Sequence, residues 1–314
     1  MKVLITGANG FVAKHLATHI RGEEHNANII GIDRWRLKEE ETDFDKVVEC
    51  DLTDAWQIGR LLEEERPDVI FHLAAQSFVP TSFDAPSDTL VNNITAQLNL
   101  FEAIRKIKGY EPIIQIAGSS EEYGLVLPNE VPIKETNPLR PLSPYGVSKV
   151  TQDRLAYQYH KSYGLNIIIT RAFNHTGPGR PECFVCSSFA KQFAEIKKLK
   201  KNEMKIGNLD SIRDFTDVRD MVRAYWLAIF NCNFGEVYNI SSDKGVQIKD
   251  ILKKLEMITG ETPEYKTDVS KQRPSDVMIL VGNSKKFRKA TKWKPEIPFE
   301  QTLKDMYYHW LEKI

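Results

Sequence analysis

The sequence lacks the features that would point to a membrane, to nucleic acid or to a disulfide scaffold. It has no run of about 18 apolar residues, which a transmembrane helix requires. Its 43 Lys and Arg are balanced by 43 Asp and Glu, so no overall field attracts polyanions. Its four cysteines are too few and too scattered for a disulfide framework. We therefore expect a cytoplasmic protein with a small-molecule partner and no membrane or nucleic-acid partner.

Two of the cysteines do form a C-x-x-C pattern, at Cys183 and Cys186. A structural zinc site needs two further ligands at a suitable spacing, and none follows. The sequence therefore predicts no metal.

The first half of the chain alternates apolar runs with amphipathic segments of helical length. The runs lie at 3–7, 28–33, 46–52, 68–75, 113–120 and 166–173, and the helical segments lie at 11–21, 54–65, 88–108 and 145–163. Strands that are apolar on both faces and alternate with helices indicate a parallel sheet covered on both sides. The fold class predicted is α/β, a Rossmann-type doubly wound sheet with a smaller C-terminal lobe.

This alternation stops after residue 174, where helices are predicted at 187–200, 217–231, 247–259 and 299–312. The run at 237–241 predicts one more strand of the main sheet. We divide the chain into a sheet domain and a lobe that closes over the strand ends, where ligands of such sheets bind. The sheet domain comprises 1–173 and 215–242, and the lobe comprises 174–214 and 243–314.

The segment VLITGANGFVAKHL has the pattern of a strand, a tight turn and a helix. Gly7 permits the turn, Gly10 permits close approach of a pyrophosphate, and Ala13 lets the helix lie near the strand. The helix N-terminus then faces the anion. This pattern at the first strand predicts a dinucleotide site.

Asp33 ends the second strand, where a carboxylate accepts hydrogen bonds from the adenosine ribose. Asp33 favours NAD(H), since it would repel a 2'-phosphate, whereas Arg34 and Arg36 favour NADP(H). We predict an NAD(P)(H) cofactor, with NAD(H) preferred. The full set of predicted cofactor contacts is Gly7, Asn9, Gly10, Phe11, Val12, Asp33, Arg34, Asp51, Leu52, Leu73, Ala74, Ala75, Gln76, Asn93, Tyr145, Lys149 and His175.

Tyr145 and Lys149 are one helical turn apart and share a helix face. A nearby ammonium favours the phenolate, so we expect Lys149 to lower the pKa of Tyr145. Ser119 follows the fifth strand, where its hydroxyl can bond a substrate carbonyl. A hydride carrier, a proton donor and a second hydrogen bond are what hydride exchange with a secondary alcohol requires.

With these motifs the sequence resembles the extended short-chain dehydrogenase/reductase family, and more narrowly its GDP-mannose-modifying branch. The resemblance rests on HLAAQSFVPTSF, AGSSEEYG, RPLSPYGVSK, RAFNHTGPG, IGNLDSIRDFTDVRD and RPSDV. It implies a catalytic set of Ser119, Tyr145 and Lys149, with Glu121 at the position that dehydratases of the branch use for acid and base chemistry. It also implies that the lobe binds a GDP-linked sugar.

The residues expected near that sugar nucleotide are Ser77, Ser82, Asn174, Val185, Lys191, Gly207, Asn208, Leu209, Arg213, Arg273 and Asp276. The resemblance supplies the detail of these roles and the identity of the base. For Arg213, the alternative to binding the sugar nucleotide is a structural ion pair with Asp214 at the surface.

Two reactions share the hydride step. A reductase delivers a hydride from NAD(P)H to the C4 keto group of a GDP-linked 4-keto-6-deoxy-hexose, forming GDP-D-rhamnose, with Tyr145 as proton donor. A GDP-mannose 4,6-dehydratase uses the same set together with Glu121. The reductase is favoured because FNHTGPG differs from the Glu-Ser-Pro-Arg-Arg run of the dehydratases. A sugar nucleotide sensor without turnover is the third alternative.

Members of the family commonly dimerise through two helices from each subunit. The helices expected at 88–108 and 145–163 carry apolar positions beyond one core stripe. We therefore expect a homodimer joined by a four-helix bundle, with burial inside the monomer as the alternative.

Overall fold

The computed structural model describes residues 1–35, 42–268 and 277–314. The strands are β1 (Lys2–Thr6), β2 (Asn28–Asp33), β3 (Lys46–Glu49), β4 (Val69–His72), β5 (Ile113–Ser119), β6 (Asn166–Ala172), β7 (Asn174–Thr176), β8 (Glu203–Ile206), β9 (Ile212–Asp217), β10 (Val237–Ile240), β11 (Gly245–Gln247), β12 (Glu264–Thr267) and β13 (Ile279–Leu280).

The helices are α1 (Phe11–Glu23), α2 (Ala55–Glu65), α3 (Val79–Asp84), α4 (Pro86–Lys106), α5 (Pro144–Tyr163), α6 (Val185–Leu199), α7 (Val218–Asn231), α8 (Ile248–Thr259), α9 (Lys285–Thr291) and α10 (Phe299–Lys313). Short 3-10 turns occupy Ser120–Glu122 and Pro128–Glu130. No helix within the described residues is both long and apolar enough to cross a membrane.

The central sheet has seven strands in the order β3-β2-β1-β4-β5-β6-β10, and all its pairings are parallel. The order reverses between β1 and β4, which is the switch point where dinucleotides bind in doubly wound sheets. The predicted α/β class is confirmed, and so is the return of residues 237–241 to the sheet as β10.

Apolar side chains cover both faces of the sheet, as the continuous hydrophobic runs predict. One face packs against α1 and α7, with Leu16 and Met221 fully buried. The other face packs against α2, α4 and α5, with Phe101 at 0% exposure. The sheet is therefore held rigidly, and the loops at the carboxyl ends of its strands start from fixed positions.

The lobe has its own apolar core between α6, α8 and α10, centred on Phe193 and Leu255. A second sheet joins β11, β9 and β13, with β7 pairing to β9, and β8 pairs with β12. The division at residues 174, 215 and 243 stays a prediction. Two aromatic residues of the C-terminal part, Phe287 and Trp293, pack in the core beside the main sheet.

Candidate active site

A cleft of 1190 Å³ lies at the carboxyl ends of the central strands and extends to the lobe. Its walls include the glycine turn after β1, the end of β2, the segment after β4, the end of β5 and the start of α5. The lobe contributes the segment from Asn174 to Phe189 and the residues around Gly207. The predicted dinucleotide and sugar nucleotide regions thus belong to one cavity.

The glycine turn has the geometry of a pyrophosphate cradle. Gly7 has φ +76°, and a Cβ there would lie 3.1 Å from Ala74 Cα. A Cβ on Gly10 would lie 2.9 Å from the Gly7 carbonyl oxygen. Helix α1 begins at the next residue, Phe11, so its N-terminal amides face the cleft. A side chain at either position would collide with the backbone of the turn or of the neighbouring segment, so this tight turn requires glycine, and it leaves the helix N-terminus open to a dinucleotide phosphate.

The carboxylate of Asp33 ties the glycine turn to the end of β2. Asp33 Oδ2 accepts the Asn9 amide at 3.0 Å, and Oδ1 accepts the Trp35 amide at 3.4 Å. The Arg34 guanidinium lies 5.9 Å from the centroid of the Trp35 ring. Arg36, the other cation expected to bear on cofactor choice, lies outside the described residues.

Ser119 and Tyr145 meet where β5 ends and α5 begins. Their hydroxyl groups both lie in the cleft, close enough for the Ser119 hydroxyl to lower the pKa of the Tyr145 phenol. The Ser119 amide donates to Glu122 Oε1 at 2.8 Å, and its hydroxyl oxygen accepts the Glu121 amide at 3.2 Å. Both side chains of the pair line the cleft, as does Glu121. The predicted proton donor and its hydrogen-bonding partner are therefore together.

The expected effect of Lys149 on Tyr145 is wrong. Burial raises the pKa of Tyr145, and the nearby Ser119 hydroxyl only partly opposes this. The Lys149 ammonium donates to the Ala117 carbonyl at 2.8 Å and lies 5.9 Å from the centroid of the Tyr145 ring. Burial also lowers the pKa of Lys149 to about 8. Helical spacing brings the two residues to one face, but it does not determine where the ammonium points.

His175 offers a hydrogen-bond acceptor to the cleft. Its Nδ1 lies 3.1 Å from the Phe173 carbonyl oxygen, which can only accept, so Nδ1 carries the proton. Burial lowers the pKa of His175 to about 4, with a further lowering by the charge of Arg180. The imidazole is neutral at pH 7, and Nε2 keeps a free lone pair for an amide or hydroxyl donor.

Most of the other predicted contacts line the same cleft. Those of the cofactor set are Gly7, Gly10, Phe11, Val12, Asp33, Arg34, Asp51, Leu52, Leu73, Ala74, Ala75, Gln76, Asn93, Tyr145, Lys149 and His175. Those of the sugar nucleotide set are Ser77, Asn174, Val185, Gly207, Asn208 and Arg213.

Four predicted residues do not line the cleft. Asn9 uses its side-chain amide to bond the Trp35 carbonyl at 3.0 Å. Ser82 is fully buried and donates to the Val79 carbonyl at 2.6 Å. Lys191 pairs with Glu182, and Leu209 packs against the core of the lobe. Arg273 and Asp276 lie outside the described residues.

The sequence profile described as GDP-mannose 4,6 dehydratase matches residues 4–306. The chain belongs to this family. It is 31% identical to the GDP-6-deoxy-D-mannose reductase of Pseudomonas aeruginosa, covering 100% of this chain and 98% of that protein. It is 30% identical to a GDP-mannose 4,6-dehydratase of Vibrio cholerae serotype O1, covering 99% of this chain and 93% of that protein.

The structure of RMD from Pseudomonas aeruginosa complexed with NADPH superposes with a TM-score of 0.88 at 30% identity, and 100% of each chain is covered. The family and the Rossmann-type fold predicted from the sequence are confirmed. The prediction of an NAD(P)-dependent enzyme is confirmed as well.

The family fold brings into the cleft several residues that sequence reasoning missed, among them Trp35, Arg180, Phe184 and Tyr225. Arg180 directly follows the quoted FNHTGPG segment, and its position after that glycine-rich turn was the available signal. Tyr225 lies in the middle of α7 and is 2% exposed, so its pattern is that of a core residue. Only the tertiary fold makes it part of the site.

Arg213 and Asp214 are not a surface ion pair, because both are buried, at 6% and 0% exposure. The Asp214 carboxylate accepts the Ser242 amide at 2.8 Å and the Gly282 amide at 3.2 Å. Burial raises the pKa of Asp214 to about 6. Asp214 thus joins β9 to two neighbouring segments of the lobe, while Arg213 lines the cleft.

Proposed function

We propose that the protein is an NAD(P)H-dependent reductase of the 4-keto group of a GDP-linked 4-keto-6-deoxy-hexose. The observation that carries this proposal is the presence of the Ser119 and Tyr145 hydroxyls, with Lys149, in the same cleft as the glycine turn. The full-length similarity to the GDP-6-deoxy-D-mannose reductase supports it. GDP-D-rhamnose is the product that this substrate would give.

Each side chain of the site has its own role in the proposed reduction. A bound NAD(P)H supplies a hydride. Tyr145 donates its proton to the oxygen at C4 as negative charge develops there, and Ser119 donates a second hydrogen bond to that oxygen. Lys149 joins α5 to the end of β5 through the Ala117 carbonyl, and the glycine turn with Asp33 holds the cofactor. His175 Nε2 can accept a hydrogen bond from an amide of the bound ligand.

The protonation state of Tyr145 is compatible with its role as a proton donor to a keto oxygen. Burial raises the pKa of its phenol, so the phenol keeps its proton at neutral pH. A reductase needs that proton at the start of its cycle, whereas oxidation of an alcohol needs a phenolate to accept one. The starting state of the site therefore suits a keto substrate.

The dehydratase remains a second candidate because Glu121 lines the cleft beside Ser119. A dehydratase needs such a carboxyl group to remove the C5 proton and to protonate the leaving hydroxyl at C6. The similarity to the dehydratase of Vibrio cholerae also favours this reading. The sensor alternative has no use for a proton donor at this position.

The absorbance of the reduced nicotinamide distinguishes the three candidate functions: reductase, dehydratase and sensor. A reductase consumes NADH or NADPH in proportion to the 4-keto sugar that is added. A dehydratase converts GDP-mannose with no net change in absorbance, and a sensor does neither. We expect Glu121→Gln to lower 4-keto reduction less than threefold, whereas loss of an essential acid or base would lower dehydration by about 100-fold or more. Dehydration of GDP-mannose by the wild type would displace the reductase proposal.

The lobe residues Asn174, Val185, Gly207, Asn208 and Arg213 are proposed to bind the sugar nucleotide. Arg213 provides a cation for its diphosphate, since guanidinium groups bind phosphate oxygens in pairs. Support comes from their common location in the same cleft as the glycine turn. The division of the chain into a cofactor domain and a sugar nucleotide lobe is part of the same proposal.

We also propose a homodimer built from α4 and α5 of each subunit. These helices pack against each other, yet α4 exposes Val91 at 56% and Leu98 at 36%. Helix α5 exposes Val147 at 42% and Tyr157 at 48%. A second copy of this pair would cover these side chains in a four-helix bundle. Sedimentation velocity at micromolar concentration tests it, and a sharp monomer peak would refute it.

All four cysteines, each within the described part of the chain, are free thiols. This supports the proposal of a reducing, cytoplasmic location.

A further inference from the structure

A buried carboxyl group lies directly behind the end of β5. Glu122 is fully buried, and its Oε1 accepts the Ser119 backbone amide at 2.8 Å. A Cβ added to Gly118 would lie 2.7 Å from the same oxygen, so this carboxyl group packs closely against the backbone just before Ser119. The Ser119 hydroxyl oxygen in turn accepts the Glu121 amide at 3.2 Å. Both the backbone and the side chain of Ser119 are therefore held by the short 3-10 turn that follows it.

The other oxygen of the Glu122 carboxyl group contacts a buried arginine. Arg171 Nε lies 3.0 Å from Glu122 Oε2, and the two side chains are 1% and 0% exposed. The Arg171 guanidinium is fixed by Asp153, whose Oδ2 accepts Nε at 3.0 Å and Nη2 at 2.9 Å. Asp153 belongs to α5, the helix that also carries Tyr145 and Lys149. Three buried side chains thus connect the middle of α5 with the serine at the end of β5.

These three side chains lie behind the site and not on its surface. In the described part of the chain, the wall of the cleft does not include Glu122, Arg171 or Asp153. They therefore cannot touch a substrate in the cleft. A buried ion pair also adds little net stability, because the loss of hydration offsets the attraction. What such a network does provide is a fixed position for the groups that it joins.

The position of Ser119 matters because a hydrogen-bond donor stabilises a developing oxyanion only when it is already in place. Ser119 is the last residue of β5, so the regular strand no longer fixes the chain beyond it. The bond from its amide to Glu122 Oε1 holds the backbone at this point.

We propose that Glu122 is a positioning residue for Ser119: its carboxyl oxygen, backed by Arg171, fixes the Ser119 backbone so that the hydroxyl is held toward the substrate C4 oxygen. This inference rests on the proposed function, which assigns the hydrogen bond at that oxygen to Ser119. The bond needs an oxygen acceptor and no charge. Burial raises the pKa of Glu122, and a protonated carboxyl group still offers its carbonyl oxygen to the amide.

The first test is a double-mutant cycle on reduction of the 4-keto sugar. Glu122→Met keeps the length of the side chain but removes the oxygen acceptor, and Arg171 keeps its pair with Asp153. We expect kcat to fall about tenfold, less than the loss of about 100-fold or more that follows removal of a whole oxyanion donor. The Kd of NADPH should stay within about twofold of wild type, because Ser119 acts on the transition state. In a Ser119→Ala background, Glu122→Met should lower kcat less than about twofold.

Two controls separate the hydrogen bond from the ion pair and from general stability. Glu122→Gln keeps an oxygen acceptor and should keep kcat within about threefold of wild type. Tyr123→Phe removes a phenol that accepts Arg171 Nη1 at 3.0 Å and does not touch Ser119. It should lower stability and leave kcat within about threefold of wild type. Glu122→Ala, whose short side chain leaves room for water beside Arg171, repeats the cycle if the methionine variant does not fold.

Three results of the cycle would overturn the inference. The first is an equal fall of kcat in the wild-type and Ser119→Ala backgrounds, and the second is an unchanged kcat in a folded variant without the acceptor. The third is a Glu122→Gln variant as slow as Glu122→Met.

Hydrogen exchange of the Ser119 amide reads the same bond without turnover. In protein labelled with ¹⁵N-serine, its signal is identified by its loss in Ser119→Ala. Glu122→Met should speed its exchange by about tenfold or more, and Glu122→Gln should speed it clearly less. A Ser119 amide that exchanges in the wild type as fast as an exposed amide would overturn the inference, and this measurement needs no variant of Glu122.

The proposed function fails separately. If the wild type reduces no GDP-linked 4-keto sugar, that proposal is wrong, while the exchange rates still report whether Glu122 holds Ser119. If turnover is present and neither kcat nor exchange responds to Glu122→Met, only the inference about Glu122 fails.

Discussion

Removing the Tyr145 hydroxyl should slow the chemical step strongly while leaving the fold almost unchanged. Tyr145→Phe keeps the ring, which is 8% exposed, and deletes one hydroxyl oxygen, so at most one hydrogen bond is lost. Ser119 keeps its bond from the Glu121 amide and faces the cleft, so its hydroxyl can turn to water. The free energy of unfolding should fall by no more than about 1 kcal/mol, the net value of one such bond.

The rate should fall far more than the stability. A lost general acid lowers turnover by about 100-fold or more, which corresponds to about 2.7 kcal/mol of the activation free energy. Absorbance of the reduced nicotinamide measures turnover of the 4-keto sugar, nicotinamide fluorescence measures cofactor binding, and a thermal melt measures stability. Cofactor binding should be unchanged, because the glycine turn is not altered.

Tyr123→Phe is the matched control, because it deletes a buried phenol that does not line the cleft. Tyr123 is fully buried, donates to Asn239 Oδ1 at 2.6 Å and accepts from Arg171 Nη1 at 3.0 Å. Its removal leaves a buried acceptor and a charged donor each one bond short, which should cost about 2 kcal/mol or more. We expect a melting temperature lower by about 3 °C or more, with turnover within about threefold of wild type.

The expected loss of rate in Tyr145→Phe and loss of stability in Tyr123→Phe together test whether Tyr145 acts as the proton donor. If Tyr145→Phe kept near-normal turnover, the phenol would not be the proton donor and the proposed mechanism would fail. If both variants lost rate and stability together, the site and the core would be one cooperative unit, and the assignment of separate roles would be wrong.

Two further variants test individual side chains. Lys149→Met removes a buried ammonium whose pKa is about 8 in the folded protein and about 10.4 in an unfolded chain. Between these two pH values the folded wild type binds fewer protons than the unfolded wild type. The free energy of unfolding of the wild type therefore increases as the pH rises through this range. Urea unfolding at pH 7.5 and pH 10 should show the variant losing about 2–3 kcal/mol relative to wild type across that window, and a constant difference would contradict this. Asp33→Asn should weaken NADH binding about tenfold and NADPH binding less, because the carboxylate suits ribose hydroxyls and repels a 2'-phosphate. Equal losses in fluorescence titrations with the two cofactors would count against Asp33 as the discriminating group.

Local sequence patterns were sufficient for the sheet and for the nucleotide end of the cleft. The runs of β-branched and aliphatic residues predict the central strands, since strands buried on both faces cannot alternate with polar residues. The glycine turn is equally local, because the close backbone packing of the turn leaves no room for side chains at Gly7 and Gly10. Ser119 and Tyr145 could be brought together only with the known order of a doubly wound sheet, in which β5 and α5 meet at the carboxyl edge.

The sequence by itself thus determined the fold class, the family and the residues that are able to take part in catalysis, because these depend on short patterns and on spacing. The tertiary structure alone decided their electrostatics. It buried Tyr145 and Lys149, directed the ammonium to Ala117, and brought Arg180 to the site from a loop 35 positions along the chain. Burial and long-range charge depend on what surrounds a group in three dimensions, and no local pattern encodes that.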